Sequence, residues 1–255
     1  MSRSIPALDI SRESAAKPRI INGRKGRRPK FLPRSESLEN RVMLSQVNWI
    51  RDGDGFWDVA SNWRDDQGVS RVPGASDDVV IDRPTGDYTV TYRGLVSTVR
   101  SITTRERLAV GQLLGGTTSL TVNGPVDATA GLTVAYATLA SAVISAGTTV
   151  RADFGTLRGV TVDGTLDLTD PSGVGHQVTV IGGMTLNGSL QLGSPFSSVS
   201  CLGTQTLGGT GIIHFGFVAV SAPSLTTGFG GGPLTLGPGL TIRGGNGTIS
   251  GGSRV

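Results

Sequence analysis

A single cysteine, Cys201, occurs in the 255 residues, which excludes an internal disulfide framework and any cysteine-based zinc cluster. The two histidines, His176 and His214, supply little for metal or acid–base chemistry. Charged residues are 16% of the chain and aromatics 5%, and from Leu108 to the C-terminus there is neither lysine nor glutamate. Those two residues solvate most helix surfaces, so their absence argues against an ordinary helical enzyme. The ~18 consecutive apolar residues needed to span a membrane as a helix occur nowhere. What the chain has in excess is glycine, 39 residues, about twice the usual share. Its length suits one large all-β unit, since such folds reach roughly 200–250 residues as a single domain.

Charge is segregated. Residues 1–45 carry eleven basic side chains against four acidic ones, a net +7, whereas residues 46–255 carry twelve arginines against fifteen acids, a net −3. A basic arm with few apolar residues cannot offset its chain entropy by burial, so residues 1 to about 36 are expected to be disordered. Such an arm serves as a nucleic-acid arm, an anionic-membrane tether, an export signal or a solvated tail. No aromatic stacking platform interleaves the charges, which weighs against nucleic acid. Arg27 and Arg28 with Phe31 and Leu32 are similar to a twin-arginine signal. Pro33, Arg34, Ser35 and Glu36, however, stand where its apolar region belongs, so a conventional cleavable signal is absent.

Downstream lies Ser37-Leu38-Glu39-Asn40-Arg41-Val42-Met43-Leu44-Ser45. Through Leu38, Glu39, Arg41, Leu44 and Ser45 it resembles the Leu-Glu-x-Arg-x-Leu-Leu-Ser segment near the N-termini of large planctomycete surface and secreted proteins, with Met43 in place of the usual leucine. The resemblance implies export and an extracellular or cell-surface location. Read without it, the segment is one amphipathic helical turn with Leu38 and Val42 on one face.

Residues 46–95 form a Trp-rich cap module holding Trp49, Trp57 and Trp63. Trp57, Trp63, Val79 and Ile81 supply the apolar area to seal one end of a sheet. Short strands are expected over 77–82 and 88–91, with a turn at Pro84 to Gly86 between them. Trp57-Asp58, Asn62-Trp63, Pro73-Gly74 and Asp77-Asp78-Val79-Val80-Ile81 together look like a module common in bacterial adhesin-like proteins, which implies the opening of a β-solenoid. Asp52, Asp54 and Asp58 fit an Asp-x-Asp-Gly-x-x-Asp spacing that can surround Ca²⁺ with carboxylates. An EF-hand is excluded by Phe56, Trp57 and Trp63 at its fifth, sixth and twelfth positions. The alternative is a plain turn.

Beyond residue 95, Leu120–Val126, Val160–Leu166 and Met184–Leu190 share apolar, Thr, apolar, Asn or Asp, Gly, any, apolar, and Leu234–Leu240 repeats it with Gly in the turn. Degenerate copies lie near Leu139–Ile144 and Leu207–Phe215, giving a unit of about 20–25 residues. Val160, Val162, Leu166 and Leu168 are expected to point inward. Asn-Gly and Asp-Gly also signal hairpins, so a β-meander or sandwich is the rival. The expected fold is all-β, a right-handed parallel β-helix (β-solenoid). In it, 96–255 stack about seven coils at ~4.8 Å per layer into a rod of roughly 35 Å. The run 234–252 resembles coil repeats of large β-helical surface proteins. It ends at Gly251 to Val255 without a polar cap, so the chain is expected either to be a shortened relative of a longer protein or to associate end to end.

Parallel β-helices include polysaccharide lyases, so Arg151, Asp153, Arg158, Asp163 and Asp167 are the candidates for a catalytic face, against a reading as polar turn positions. Asp170 and His176 lack a serine in a nucleophile motif. His214 is expected to face outward, and Cys201 to be a small buried residue. The function expected is a non-enzymatic surface or secreted protein, without cofactor unless calcium, that binds polysaccharide or envelope components weakly and at many points. The alternatives are a lyase-type enzyme and an intracellular protein tethered to nucleic acid by its leader.

Overall fold

Thr-rich segments with an apolar residue at every second position bury one edge only when another such segment lies beside them. In the computed structural model, which describes residues 45–251 other than 85, 112–116, 171–174, 217 and 229–231, that is how every long segment is used. The leader, with Leu38, Glu39, Arg41 and Leu44, lies outside the described residues, and Ser45 opens the first strand.

The strands are β1 Ser45–Trp49, β2 Gly55–Phe56, β3 Trp63–Asp65, β4 Asp77–Ile81, β5 Thr89–Tyr92, β6 Val96–Val99, β7 Ser101–Thr104 and β8 Arg107–Val110. Next come β9 Ser119–Val122, β10 Pro125–Ala128, β11 Leu132–Ala135, β12 Thr138–Ala140, β13 Val143–Ile144, β14 Thr149–Asp153, β15 Gly155–Val162 and β16 Thr165–Asp167. Last are β17 Gln177–Leu186, β18 Ser189–Leu192, β19 Ser198–Leu202, β20 Gln205–Gly208, β21 Ile212–Phe215, β22 Ser224–Thr226, β23 Leu234–Leu236, β24 Thr241–Gly244 and β25 Thr248–Ser250. The only helical element among the described residues is a 3₁₀ turn, Ala60–Asn62.

The fold is all-β, with parallel strands in a sixteen-stranded and a nine-stranded sheet. They form three columns. In the first, β6, β9, β12, the first half of β15, the first half of β17, β19, β22 and β25 follow one another. The second holds β1, β4, β7, β10, β13, the later halves of β15 and β17, β20 and β23. The third is the nine-stranded sheet, from β2 to β24. From β6 onward the chain visits first, second and third column in that order, layer after layer.

Register puts like beside like. Leu120, Leu139, Leu157, Val180 and Cys201 form one inner row of the first column. Val79, Ile102, Val126, Ile144, Val162 and Leu186 do so in the second. In the third the row is Val90, Leu108, Leu132, Val150, Leu166, Leu190 and Ile213. Each of these side chains is at most 1% exposed, and each fully buried aliphatic contributes about 1.5–3 kcal/mol. Val160, Val162, Leu166 and Leu168 all face this interior.

The hairpin rival fails, because β17 and β18, which flank Asn187-Gly188, belong to different sheets, and the only antiparallel pairing among the described strands is β1 with β3. The repeat, moreover, mixes two kinds of corner. Asn123-Gly124 turns the chain from first to second column, whereas Asp163-Gly164, Asn187-Gly188 and Gly237-Pro238 turn it from second to third. A tight polar turn between two buried rows is needed at both corners, so both attract the same residues. Layer length also varies more than the expected unit: Val150 pairs with Leu166, 16 residues on, and Ile213 with Ile242, 29 on.

At the N-terminal end β3 lies antiparallel on β1, and the three tryptophans close over it. Trp63 meets Trp49 and Trp57 edge-on at 4.9 and 4.8 Å, and Trp57 meets Tyr92 at 5.7 Å. The Trp63 Nε1–H donates to the Trp57 carbonyl at 2.7 Å, and Asn62 Nδ2 donates to the Phe56 carbonyl at 3.0 Å. Gly55 is glycine because a Cβ there would lie 2.8 Å from the Trp49 ring. The strands of this cap continue the second and third columns, and all described residues belong to one compact unit, Val42–Val255. At the other end, Ile242 on β24 and Ile249 on β25 are 43% and 46% exposed.

Candidate functional site

The three carboxylates of the Asp-Gly turn each have a separate partner. Asp52 pairs with Arg83, Asp58 with Arg93 at 3.1 Å, and Asp54 Oδ1 accepts the Thr89 N–H at 2.8 Å. Arg93 also lies 3.5 Å above the Phe56 ring. No group of three His, Cys, Asp or Glu side chains poised for a metal exists among the described residues.

A denser polar cluster surrounds the start of β1. Asp77, 2% exposed, accepts from Arg71 at 2.5 and 2.9 Å, from the Gly74 N–H at 2.7 Å and from the Ser45 hydroxyl. Burial pushes the Asp77 carboxyl up, and the Arg71 guanidinium, the Ser45 hydroxyl and the Gly74 amide overcome it, holding it down at about 2. Arg71 also donates to Asp65 at 2.8 Å. The Val69 amide and Arg71 depress the Asp65 carboxyl. Ser45, the last residue of the export-like segment, is thereby tied into the first layer. The sequence offered no signal for Arg71, whose partners lie 6 and 26 residues away.

The candidate catalytic face is dispersed. Arg151 and Asp167 are register neighbours in the third column, 3.4 Å apart. Arg158 lies in the first column. Asp163 sits at a corner, accepting from Asn187 Nδ2 at 2.8 Å. Asp153 instead approaches His176, whose Nδ1 is 4.0 Å from it while Nε2 is 3.7 Å from Asp170. His214 lies in an outward row of the third column with Gln191 and Arg243. Cys201 is fully buried, and burial pushes its thiol up to about 11, which leaves it a packing residue with no thiolate near neutral pH.

The outward face of the first column is different in kind. Ser119, Thr138, Thr156, Thr179, Ser200, Thr226 and Ser250 are register partners across seven successive strands, an unbroken row of hydroxyls. Over its first layers lies a groove of about 600 Å³ lined by Val96, Thr117, Thr118, Ser119, Tyr136, Ala137, Thr138, Phe154, Thr156 and Arg158. Tyr136 and Phe154 occupy the same corner on adjacent layers and stack at 5.2 Å with their planes 19° apart. Both backbones sit at φ 51°, in the left-handed region, where a bulky side chain is an outlier. The rings are nevertheless 38% and 51% exposed. Sequence reasoning did not select this pair. Its only trace is an aromatic among small residues, Ala135-Tyr136-Ala137 and Phe154-Gly155, recurring 18 positions apart.

Comparison of the chain with protein-family models, curated proteins and solved structures finds no match.

Proposed function

We propose that this protein is a non-enzymatic structural or adhesive protein of the cell surface or extracellular space, built as a right-handed β-solenoid, that binds polysaccharide or neighbouring surface proteins weakly and at many points. The observation that carries the reading is the hydroxyl row of the first column, seven residues long and free of charge. It offers one donor and acceptor per layer at ~4.8 Å intervals. A long sugar chain can engage many such groups at once while each alone binds feebly, which is the arithmetic of avidity.

The solenoid reading is supported by the fixed order of the three columns and by parallel pairing of each strand with the layer before. Right-handedness follows the near-universal hand of parallel crossovers. An exported location is supported by the resemblance of residues 37–45. The test is co-sedimentation of the full chain with insoluble envelope polysaccharide, competed by soluble fragments of increasing length. Competition that strengthens with fragment length is expected, with no release of unsaturated or reducing products. Competition by monosaccharide as effective as that by polymer, or steady product release, contradicts the reading.

A further inference from the structure

We infer that the groove over β6, β9, β12 and β15 is a subsite for an acidic, uronate-containing polysaccharide, in which Tyr136 and Phe154 stack against a sugar ring and Arg158 binds its carboxylate. The inference rests on the polysaccharide-binding reading above and names the place and the class of sugar.

Three observations carry it. First, neither aromatic is explained by packing. Both hold φ 51°, and the two rings remain over a third exposed. Side chains held in a costly backbone region without the return of burial mark a site where the surface itself is used. Second, the stacked pair forms an apolar patch directly beside the hydroxyls of Ser119, Thr138 and Thr156. That pairing matches a pyranose ring, which has an apolar C–H face and a hydroxylated rim. At about 600 Å³ the groove is in the small-ligand range, whereas a folded protein partner needs about 800 Å² of complementary surface. Third, Arg158 is exposed, and its guanidinium has no hydrogen bond or ion pair among the described residues. Seven other arginines, 71, 83, 93, 100, 105, 107 and 151, each meet an aspartate. Arg158's register neighbours are Ala140 and Ile181, so no carboxylate stands on either adjacent strand to occupy it. A free guanidinium fork at the rim of a sugar-shaped groove fits a carboxylate bidentately.

The test is affinity electrophoresis of the full chain through gels containing polygalacturonate or neutral galactan. The variants are Arg158→Gln, Arg243→Gln and the double change Tyr136→Gly/Phe154→Gly. Glycine adopts φ 51° without strain, so the double variant is expected to melt close to the parent protein. The leader's +7 attracts any polyanion, and Arg243→Gln removes the same charge from a different face. The expected result is retardation by polygalacturonate, weakened about tenfold or more by Arg158→Gln and by the double glycine variant, with Arg243→Gln within about twofold of the parent. Equal losses for Arg158→Gln and Arg243→Gln, or equal retardation by galactan, overturn the acidic-sugar assignment. Parent retardation untouched by the double variant overturns the site while leaving the polysaccharide reading standing. If the double variant melts well below the parent, Arg158→Gln against Arg243→Gln decides. No retardation by either polymer ends both readings.

Discussion

Changing Gly188 to alanine reports directly on the stacking of layers. Gly188 turns the chain between β17 and β18 above Gly164, which makes the same turn one layer earlier. Its own N–H donates to the Val162 carbonyl at 2.9 Å, and the Ser189 N–H donates to Gly164 at 3.0 Å. A Cβ on Gly188 would lie 1.9 Å from the Gly164 oxygen and 2.5 Å from that of Asp163. Both obstacles are backbone, so the layers must part by about 1.5 Å to restore ordinary contact. Weakening those two hydrogen bonds costs about 0.5–1.5 kcal/mol each, and overpacking adds about 1–3 kcal/mol. The expected loss is about 3 kcal/mol. Gly208, whose added Cβ would meet nothing within 4 Å and whose φ is not positive, is the matched control. There Gly→Ala should stabilise by about 0.4–1 kcal/mol through the unfolded chain. Urea unfolding followed by far-UV circular dichroism measures both. Equal effects at the two positions, or a Gly188→Ala protein as stable as the parent, would refute close stacking at this corner.

Trp63→Ala removes two edge-on ring contacts and the hydrogen bond to Trp57, and should cost about 3–5 kcal/mol in thermal or urea unfolding, with amide exchange rising first in β1 and β3. A loss below about 1 kcal/mol would mean that the cap is not packed as described. Asp77 titrates at about 2 when folded against ~3.9 unfolded. Its contribution is therefore complete above pH ~4, falls as the pH drops and is gone below about 2, on the order of 1–2 kcal/mol once the partial exposure of Arg71 is allowed for. Asp77→Asn should flatten that acid limb in urea titrations at successive pH values, and an unchanged slope would contradict the pairing. Because Asp52, Asp54 and Asp58 each have their own partner, Ca²⁺ or a chelator should leave the melting temperature unchanged. A Ca²⁺-dependent rise abolished by Asp54→Asn would reverse that conclusion.

Much of this architecture was legible because one-sided burial leaves a period-two signature. The expected strand at 77–82 is β4, that at 88–91 is β5, and the alternating Val160, Val162, Leu166 and Leu168 all face inward. The aromatic cluster was legible too, since large rings are rarely gathered without a common packing purpose. Corner phase was not, because Asn123-Gly124 and Asn187-Gly188 satisfy the same turn chemistry at different corners. Nor was the Asp77 cluster, whose members Ser45, Asp65 and Arg71 meet only after the first layer closes on itself. The candidate sugar site was the least legible part. A left-handed backbone at Tyr136 and Phe154 is imposed by the corner, not by the residues, and Arg158 is distinguished only by neighbours that come from other layers.

We propose that this protein works outside the cell. Protease shaving of intact native cells, followed by detection of peptides from residues 46–255, tests it most directly. Release of body peptides while a cytosolic control stays protected is the expected result. Body peptides that appear only after lysis would contradict export through residues 37–45 and return the +7 leader to an intracellular role.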